Sequence, residues 1–366
     1  MRLRILYLWF GIVFPSICTA YAGDESHLPL DWRNDCVGRM QLSLPNNVDI
    51  AAMFPKELIR KLDVNRRNWD YHIPYGFEDG SEYGWSSFDY AGELQISLPA
   101  DERELSQIWI NASGMKRQNG IYLKKHHKPF YEIEKKDRAR LAWSGESFQK
   151  AIFEVGQSVV FWQTRGEPED QSLRIQRYQK IASGLRSRPL MTSPTEPGVC
   201  LPYAFIRDDD AVYRSIATVY RLKEHPDVIV RLIDRNADPI EPPSLRRPET
   251  YSASYKLNDF WSQYAAREKS YKSVWFPAGR DVSLTGYKGK AAFVEITRAD
   301  GSLDYGYTIA VRGNPDATED TPDLFFSVMR YADAAKVRDI EPISKDELLK
   351  LAETIAASVK RRPVVK

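Results

Sequence analysis

The sequence predicts an α+β protein of two related domains, each a mainly antiparallel sheet packed with a closing C-terminal helix. Three observations predict it: a motif repeated at the end of each half, one cysteine near the start of each half, and strand periodicity between these landmarks.

The closing motif comes first. Ile181-Ala-Ser-Gly-Leu-Arg-Ser-Arg-Pro189 aligns without gaps on Ile355-Ala-Ala-Ser-Val-Lys-Arg-Arg-Pro363, the self-similarity that an internal duplication leaves. Ile175, Tyr178, Ala182 and Leu185 fall on one face of the first predicted helix, and Leu348, Leu351, Ile355 and Val359 on one face of the second. Ser344-x-x-Glu347 has the capping-box spacing at the start of the second, and a proline follows each basic last turn.

The openings match as well. Cys36 stands in Asp35-Cys-Val-Gly-Arg-Met-Gln-Leu-Ser-Leu-Pro45 and Cys200 in Pro197-Gly-Val-Cys-Leu-Pro-Tyr-Ala-Phe-Ile206. Matched starts and ends place one domain at residues 24–189 and the other at 200–363, with residues 190–199, rich in Pro, Ser, Thr and Gly, as the linker. An even cysteine count after export predicts a Cys36–Cys200 disulfide; two separate buried thiols are the alternative.

Strand signals fill the interior. Leu94, Ile96 and Leu98 alternate with polar neighbours, as do Val228, Val230 and Leu232. Residues 292–297 and 303–311 flank Asp300-Gly301, a hairpin turn in which glycine accepts positive φ. Residues 323–331 read as another strand, and the proline-rich stretch 236–250 as a long surface loop.

At the N-terminus, Arg2 and Arg4 precede an apolar run from Ile5 to Ile17, and Ala20-x-Ala22 precedes Gly23. These are the parts of a secretory signal peptide covering residues 1–22, too short and too interrupted by Pro15 for a lasting membrane anchor. Cys18 raises a lipoprotein reading, but Pro15-Ser16-Ile17 is a poor lipobox. Removing residues 1–22 takes away two arginines and no acid, which leaves 50 basic against 50 acidic side chains. A balanced, interspersed charge argues against nucleic acid as a partner, and no later segment reaches membrane-spanning length.

Motifs that carry chemistry are missing from the sequence. Gly84-Trp-Ser-Ser-Phe88 fails the nucleophile-elbow pattern at its last position, so Ser86 is no nucleophile by motif. No P-loop, dinucleotide fingerprint or metal-ligand spacing occurs, so neither cofactor nor metal is expected. His126-His127 between lysines and His225 before Pro226 read as turns. The acidic runs 208–210 and 319–320 read as solvated loops, and a non-enzymatic binding protein is the consequence.

The segment from Trp69 to Tyr90 is dense in aromatic side chains among Gly, Ser, Asp and Glu. Trp69, Tyr71, Tyr75, Tyr83 and Trp85 are the candidates for contact with a partner, because Trp and Tyr combine large area with a polar handle. Packing inside the first domain is the competing expectation for each.

With these residues in view, the chain resembles the immunity proteins that neutralise lipase toxins of bacterial type VI secretion. Cys36-Val-Gly-Arg39 with Leu42-x-Leu44-Pro45, Pro197-Gly-Val-Cys200, and Gly279-Arg280 through Val282 with Gly286-Tyr-Lys-Gly289 look like that family's motifs. Lys290-Ala291-Ala292 departs from it, standing where the family has acidic residues. The resemblance implies a periplasmic inhibitor whose two domains grip a cognate phospholipase effector and obstruct its active site. A carbohydrate-binding or structural protein of the cell envelope is the alternative, and a carboxylate-dependent envelope hydrolase ranks below it.

Overall fold

The computed structural model describes residues 28–65, 75–81, 86–133, 140–165, 171–208, 213–237, 251–265, 270–275, 279–317 and 319–365. The first half contains β1 (Trp32–Val37), β2 (Met40–Pro45), β3 (Val48–Ile50), β4 (Ala52–Met53), α1 (Pro55–Leu62), β5 (Tyr75–Gly76), β6 (Ser87–Tyr90) and β7 (Glu93–Ile96). It continues with α2 (Glu102–Lys125), β8 (Tyr131–Ile133), β9 (Arg140–Ser144), β10 (Phe148–Val155), β11 (Ser158–Arg165), α3 (Gln171–Gly184) and β12 (Leu185–Ser187). The second half runs through β13 (Gly198–Leu201), β14 (Ala204–Arg207), β15 (Arg214–Leu222), β16 (Val228–Asn236), α4 (Ala253–Ala265), β17 (Ser270–Ser273) and β18 (Arg280–Leu284). It closes with β19 (Tyr287–Thr297), β20 (Leu303–Val311), β21 (Pro322–Arg330), α5 (Ala332–Arg338), α6 (Lys345–Ser358) and β22 (Lys360–Arg361). β13 begins at Gly198, inside the stretch 190–199 that the sequence marks as a linker.

One 14-stranded sheet runs through both halves in the order β17-β19-β20-β21-β16-β15-β6-β7-β11-β10-β9-β8. Read outward from the β6·β15 junction, the first half gives β6-β7-β11-β10-β9-β8 and the second β15-β16-β21-β20-β19-β17. Two successive strands, a jump to the outer edge and a return inward, strand by strand, occur in both. The halves therefore share one strand order and meet through equivalent strands, Arg214 facing Tyr90 and Ala217 facing Ser87 in antiparallel register.

The sheet is covered on both faces, where the sequence predicts only the closing helix of each half. Ile355 and Leu348 of α6 join the cluster that holds Phe293, Tyr307 and Phe326, while Leu257 and Trp261 of α4 pack with Val294, Phe325 and Met329 on the other face. In the first half Tyr178 of α3 stacks on Phe153 at 5.9 Å, and Trp109 of α2 donates to Glu154 at 3.0 Å from the opposite face. Side chains one apart on a strand point to opposite faces, so both faces of β10 need an apolar layer. α2 begins at Asp101, whose side chain accepts from Glu104 N while Glu104 accepts from the cap backbone.

The closing helices end earlier than the periodicity predicts. α3 stops at Gly184 and α6 at the aligned Ser358; the basic residues beyond them are extended and form β12 and β22. Thr285 and Gly286, both with positive φ, turn β18 into β19, as glycine permits in a two-residue hairpin.

Candidate interaction site at the seam between the halves

The two terminal strands cross over. β12, the end of the first half, pairs with β14 of the second half's opening hairpin, and β22, the end of the second half, pairs with β2 of the first half's opening hairpin. Each three-stranded sheet thus contains strands of both halves.

The arginine after each terminal strand fixes the exchange. Arg188 and Arg362 are each 4% exposed. Arg188 bonds the carboxylate of Asp35 and donates to Thr192 O at 2.7 Å and Leu201 O at 3.0 Å. Arg362 donates to Pro194 O, to Glu196 O at 2.6 Å and to Gly198 O at 2.8 Å. Five fixed N–H donors let one guanidinium serve several carbonyls at once. Their backbone amides act equivalently, Arg188 N donating to Tyr203 O and Arg362 N to Arg39 O, each in the turn of the partner hairpin.

The two opening hairpins are also joined directly. Cys36 and Cys200 form a disulfide with Cα atoms 5.7 Å apart, and Gly38 and Cys200 exchange backbone hydrogen bonds of 3.0 and 2.8 Å. Gly38 lies at φ +58°, and a Cβ there would fall 2.3 Å from Asp234 Oδ2. Only glycine meets both demands.

Beside it lies a network of buried charges. Arg214, fully buried, grips Asp234 through Nε at 2.7 Å and Nη2 at 2.9 Å, and reaches Asp320 at 3.0 Å. Asp234 also accepts from Arg39 N at 2.7 Å. The Arg39 side chain pairs with Asp208 at 3.0 Å and Asp320 at 3.3 Å, Lys180 approaches Asp208 at 3.6 Å, and Arg361 meets Asp320 at 3.0 Å. Burial raises the Asp320 carboxyl, but Arg214, Arg361 and Arg39 outweigh it and hold the group below its ordinary value. Asp208 and Asp320 are therefore internal ties rather than the solvated loop residues that composition predicts.

Of the aromatic candidates, Trp69, Tyr71, Tyr83 and Trp85 lie outside the described residues. Tyr75 belongs to the core: it is 7% exposed and meets Phe88 edge-on at 5.9 Å, and burial pushes its phenol well up. Phe77, Phe88 and Tyr90 are buried with it. Ser86 is buried too and donates to Ala51 O at 3.2 Å. A groove of about 540 Å³ opens at the seam instead, lined by Asp89, Glu93, the buried Gln163 and Arg177 from the first half and Tyr213 from the second. Burial, reinforced by Glu93, holds the Asp89 carboxyl above its ordinary value. Sequence reasoning missed this groove, which exists only because β6 and β15 pair. Among the described residues no group of His, Cys, Asp and Glu could hold a metal ion, and no helix is long and apolar enough to cross a membrane.

Residues 192–364 match the family model described as the Tle cognate immunity protein 4 C-terminal domain. The C-terminal half of the chain is similar to the Tle cognate immunity protein 4 family. Nearly the whole chain has the same fold as solved immunity proteins. The immunity protein TplEi of the type VI secretion system of Pseudomonas aeruginosa, complexed with "L" peptide, superposes with a TM-score of 0.57 at 15% identity, over 92% of this chain and 99% of that one. A chain of the Tle4–Tli4 complex gives 0.57 at 14% identity over 92% and 99%, and apo TplEi gives 0.55 at 15% over 91% and 98%. No curated protein sequence matches. The immunity-family region covers β13–β22, so it includes the terminal strand exchanged into the first half.

Proposed function

We propose that this protein is a periplasmic immunity protein that binds a type VI secretion phospholipase effector and inhibits it by stoichiometric complex formation, without modifying it. The match of residues 192–364 to the immunity family carries the reading. The chain-wide likeness of fold to TplEi and to a chain of the Tle4–Tli4 complex supports it. The disulfide suits an oxidising compartment, as does the signal-peptide pattern of residues 1–22.

Residues 24–189 and 200–363 are read as duplicated domains, supported by their common strand order and the equivalent positions of α3 and α6. Partner contact is assigned to surfaces of both, with Trp69, Tyr71, Tyr83 and Trp85 as aromatic contributors. A phospholipase must admit lipid to its active site, and holding its entrance closed is sufficient to silence it.

Titration of a cognate type VI secretion phospholipase effector with the mature protein is the test. Inhibition is expected to saturate at a fixed molar ratio, and activity to return when the complex is dissociated, with the lipase mass unchanged. Progressive inactivation of excess lipase by trace protein, or no binding, refutes the proposal.

A further inference from the structure

We propose that the C-terminal end of α2, with the adjoining edge of the sheet, docks on an anionic phospholipid surface. This goes beyond the immunity function and does not depend on it.

The inward face of α2 is accounted for: Ile108, Ala112, Met115 and Leu123 are buried. The opposite face is not. Ile110, Arg117 and Ile121 recur at helical spacing on the outward side, and Ile110, Ile121 and the adjacent Tyr122 remain 61%, 56% and 60% exposed. From Lys116 to Lys128 the chain carries five cations and no acid. Lys116 pairs with Glu132 at 2.5 Å and Lys128 with Glu146 at 3.0 Å. Arg117, Lys124 and Lys125 form no ion pair among the described residues. Lysines in a last turn complement the helix dipole, which explains Lys124 and Lys125 structurally. It does not explain Arg117 two turns earlier or three large exposed apolar side chains beside it.

A groove of about 410 Å³ follows this face, with Ile121, Phe130 and Leu141 among its lining and Arg117 and Lys124 beside them. Gly120 lets the Phe130 ring close against the helix, where a Cβ would stand 3.2 Å away. The one carboxylate lining the groove, Glu132, is neutralised by Lys116. Free cations set among exposed aliphatic and tyrosine side chains match the headgroup region of an anionic bilayer. Phosphates meet the cations there, and the apolar groups sink to the acyl boundary. A folded acidic partner would satisfy the cations, but the apolar residues are strung along an outward helix rather than gathered into the central patch that a protein interface buries. β8 is the last strand of the sheet, so docking here leaves the seam uncovered.

Co-sedimentation of the mature protein with vesicles of phosphatidylglycerol and phosphatidylethanolamine tests this, with phosphatidylcholine vesicles as the neutral comparison. Wild type is expected to bind the anionic vesicles alone and to be released by high salt. Arg117→Glu/Lys124→Glu/Lys125→Glu should bind on the order of a hundredfold more weakly. Lys336→Glu/Lys345→Glu/Lys350→Glu changes the net charge equally on exposed helical positions elsewhere and should bind as wild type does. Circular dichroism of both variants checks folding, and Ile121→Ser, with no charge change, should also weaken binding if the first variant misfolds. No preference for anionic vesicles, or equal loss in the two triple variants, overturns the proposal. So does loss of lipase binding by the first triple variant when wild type ignores the vesicles, since the face would then be a protein interface.

Discussion

Arg214 and Lys256 show how differently a fully buried and a half-buried cation behave. Arg214 has two carboxylates within hydrogen-bond reach. Arg214→Ala would leave Asp234 buried with half its partners gone, a loss of about 3–5 kcal/mol, and Arg214→Lys would recover little because an ammonium cannot make the forked contact. Urea unfolding of the two variants checks both statements. Lys256 meets Leu324 O at 3.5 Å and lies over the Phe325 ring at 5.8 Å, with no carboxylate in ion-pair reach among the described residues. Burial, with Arg235, Arg312 and Arg231 adding repulsion against the attraction of Asp323, pushes its ammonium down to about 8. Between that value and the ordinary lysine range the unfolded chain holds a proton that the folded one has released, so stability should rise with pH from about 8 to about 10.4. Lys256→Met should flatten that rise and stabilise the protein at pH 7 by about 1–3 kcal/mol. Unfolding midpoints measured from pH 7 to pH 10.5 decide it; a wild-type curve without the rise contradicts the assignment.

Helix α2 offers a test on a single element, because it contains two glycines in unlike surroundings. A Cβ on Gly114 meets nothing within 4 Å, whereas one on Gly120 runs into Phe130. Gly114→Ala should therefore stabilise by about 0.5–1 kcal/mol from helix propensity and lost unfolded-state freedom. Gly120→Ala should gain less than that, or lose, and thermal melts of the two variants would separate them. What was legible at this scale was local. Asp300-Gly301 marked its hairpin because the turn needs only its own residues, and Ser344-x-x-Glu347 marked the start of α6. α2 was overlooked although Asp101-x-x-Glu104 carries the same capping signature. Its buried residues are few for its length, and its outward face carries Ile110 and Ile121, which blur the apolar period. The closing helices were found but overrun, since Leu185 and Val359 are apolar at helical spacing and only pairing with a distant hairpin makes the residues after them strands.

For the molecule as a whole, the matched cysteines and closing motifs point to two related halves, but nothing in them says how the halves join. Asp208 looks like part of a solvated acidic run until Arg39, far away in the chain, is placed on it. The seam groove likewise depends on Tyr213 coming beside Asp89 and Glu93, which no periodicity encodes. The disulfide closes a separation of 164 residues, which in the loop-entropy picture stabilises by up to about 5 kcal/mol. Cys36→Ser/Cys200→Ser should lower the unfolding free energy by about 2–5 kcal/mol, yet the halves should remain docked. The exchanged strands and the Arg214 network hold them independently of the sulfur bridge. Unfolding titrations and small-angle scattering of this variant would show both, and a change in overall dimensions would contradict the second.

The strand exchange also imposes a timetable on assembly. The hairpin of β13 and β14 receives β12 from residues only a short way upstream, so that clasp closes over a small loop. The hairpin of β1 and β2 waits for Lys360 and Arg361, far downstream in the chain, to reach Gln41 and Met40. Closing so long a loop costs more entropy and takes longer. Two clasps equivalent in the finished protein are therefore unequal during its birth. A chain cut before Lys360 would keep the early clasp and lose the late one, leaving the edge of β2 open to whatever strand it meets first.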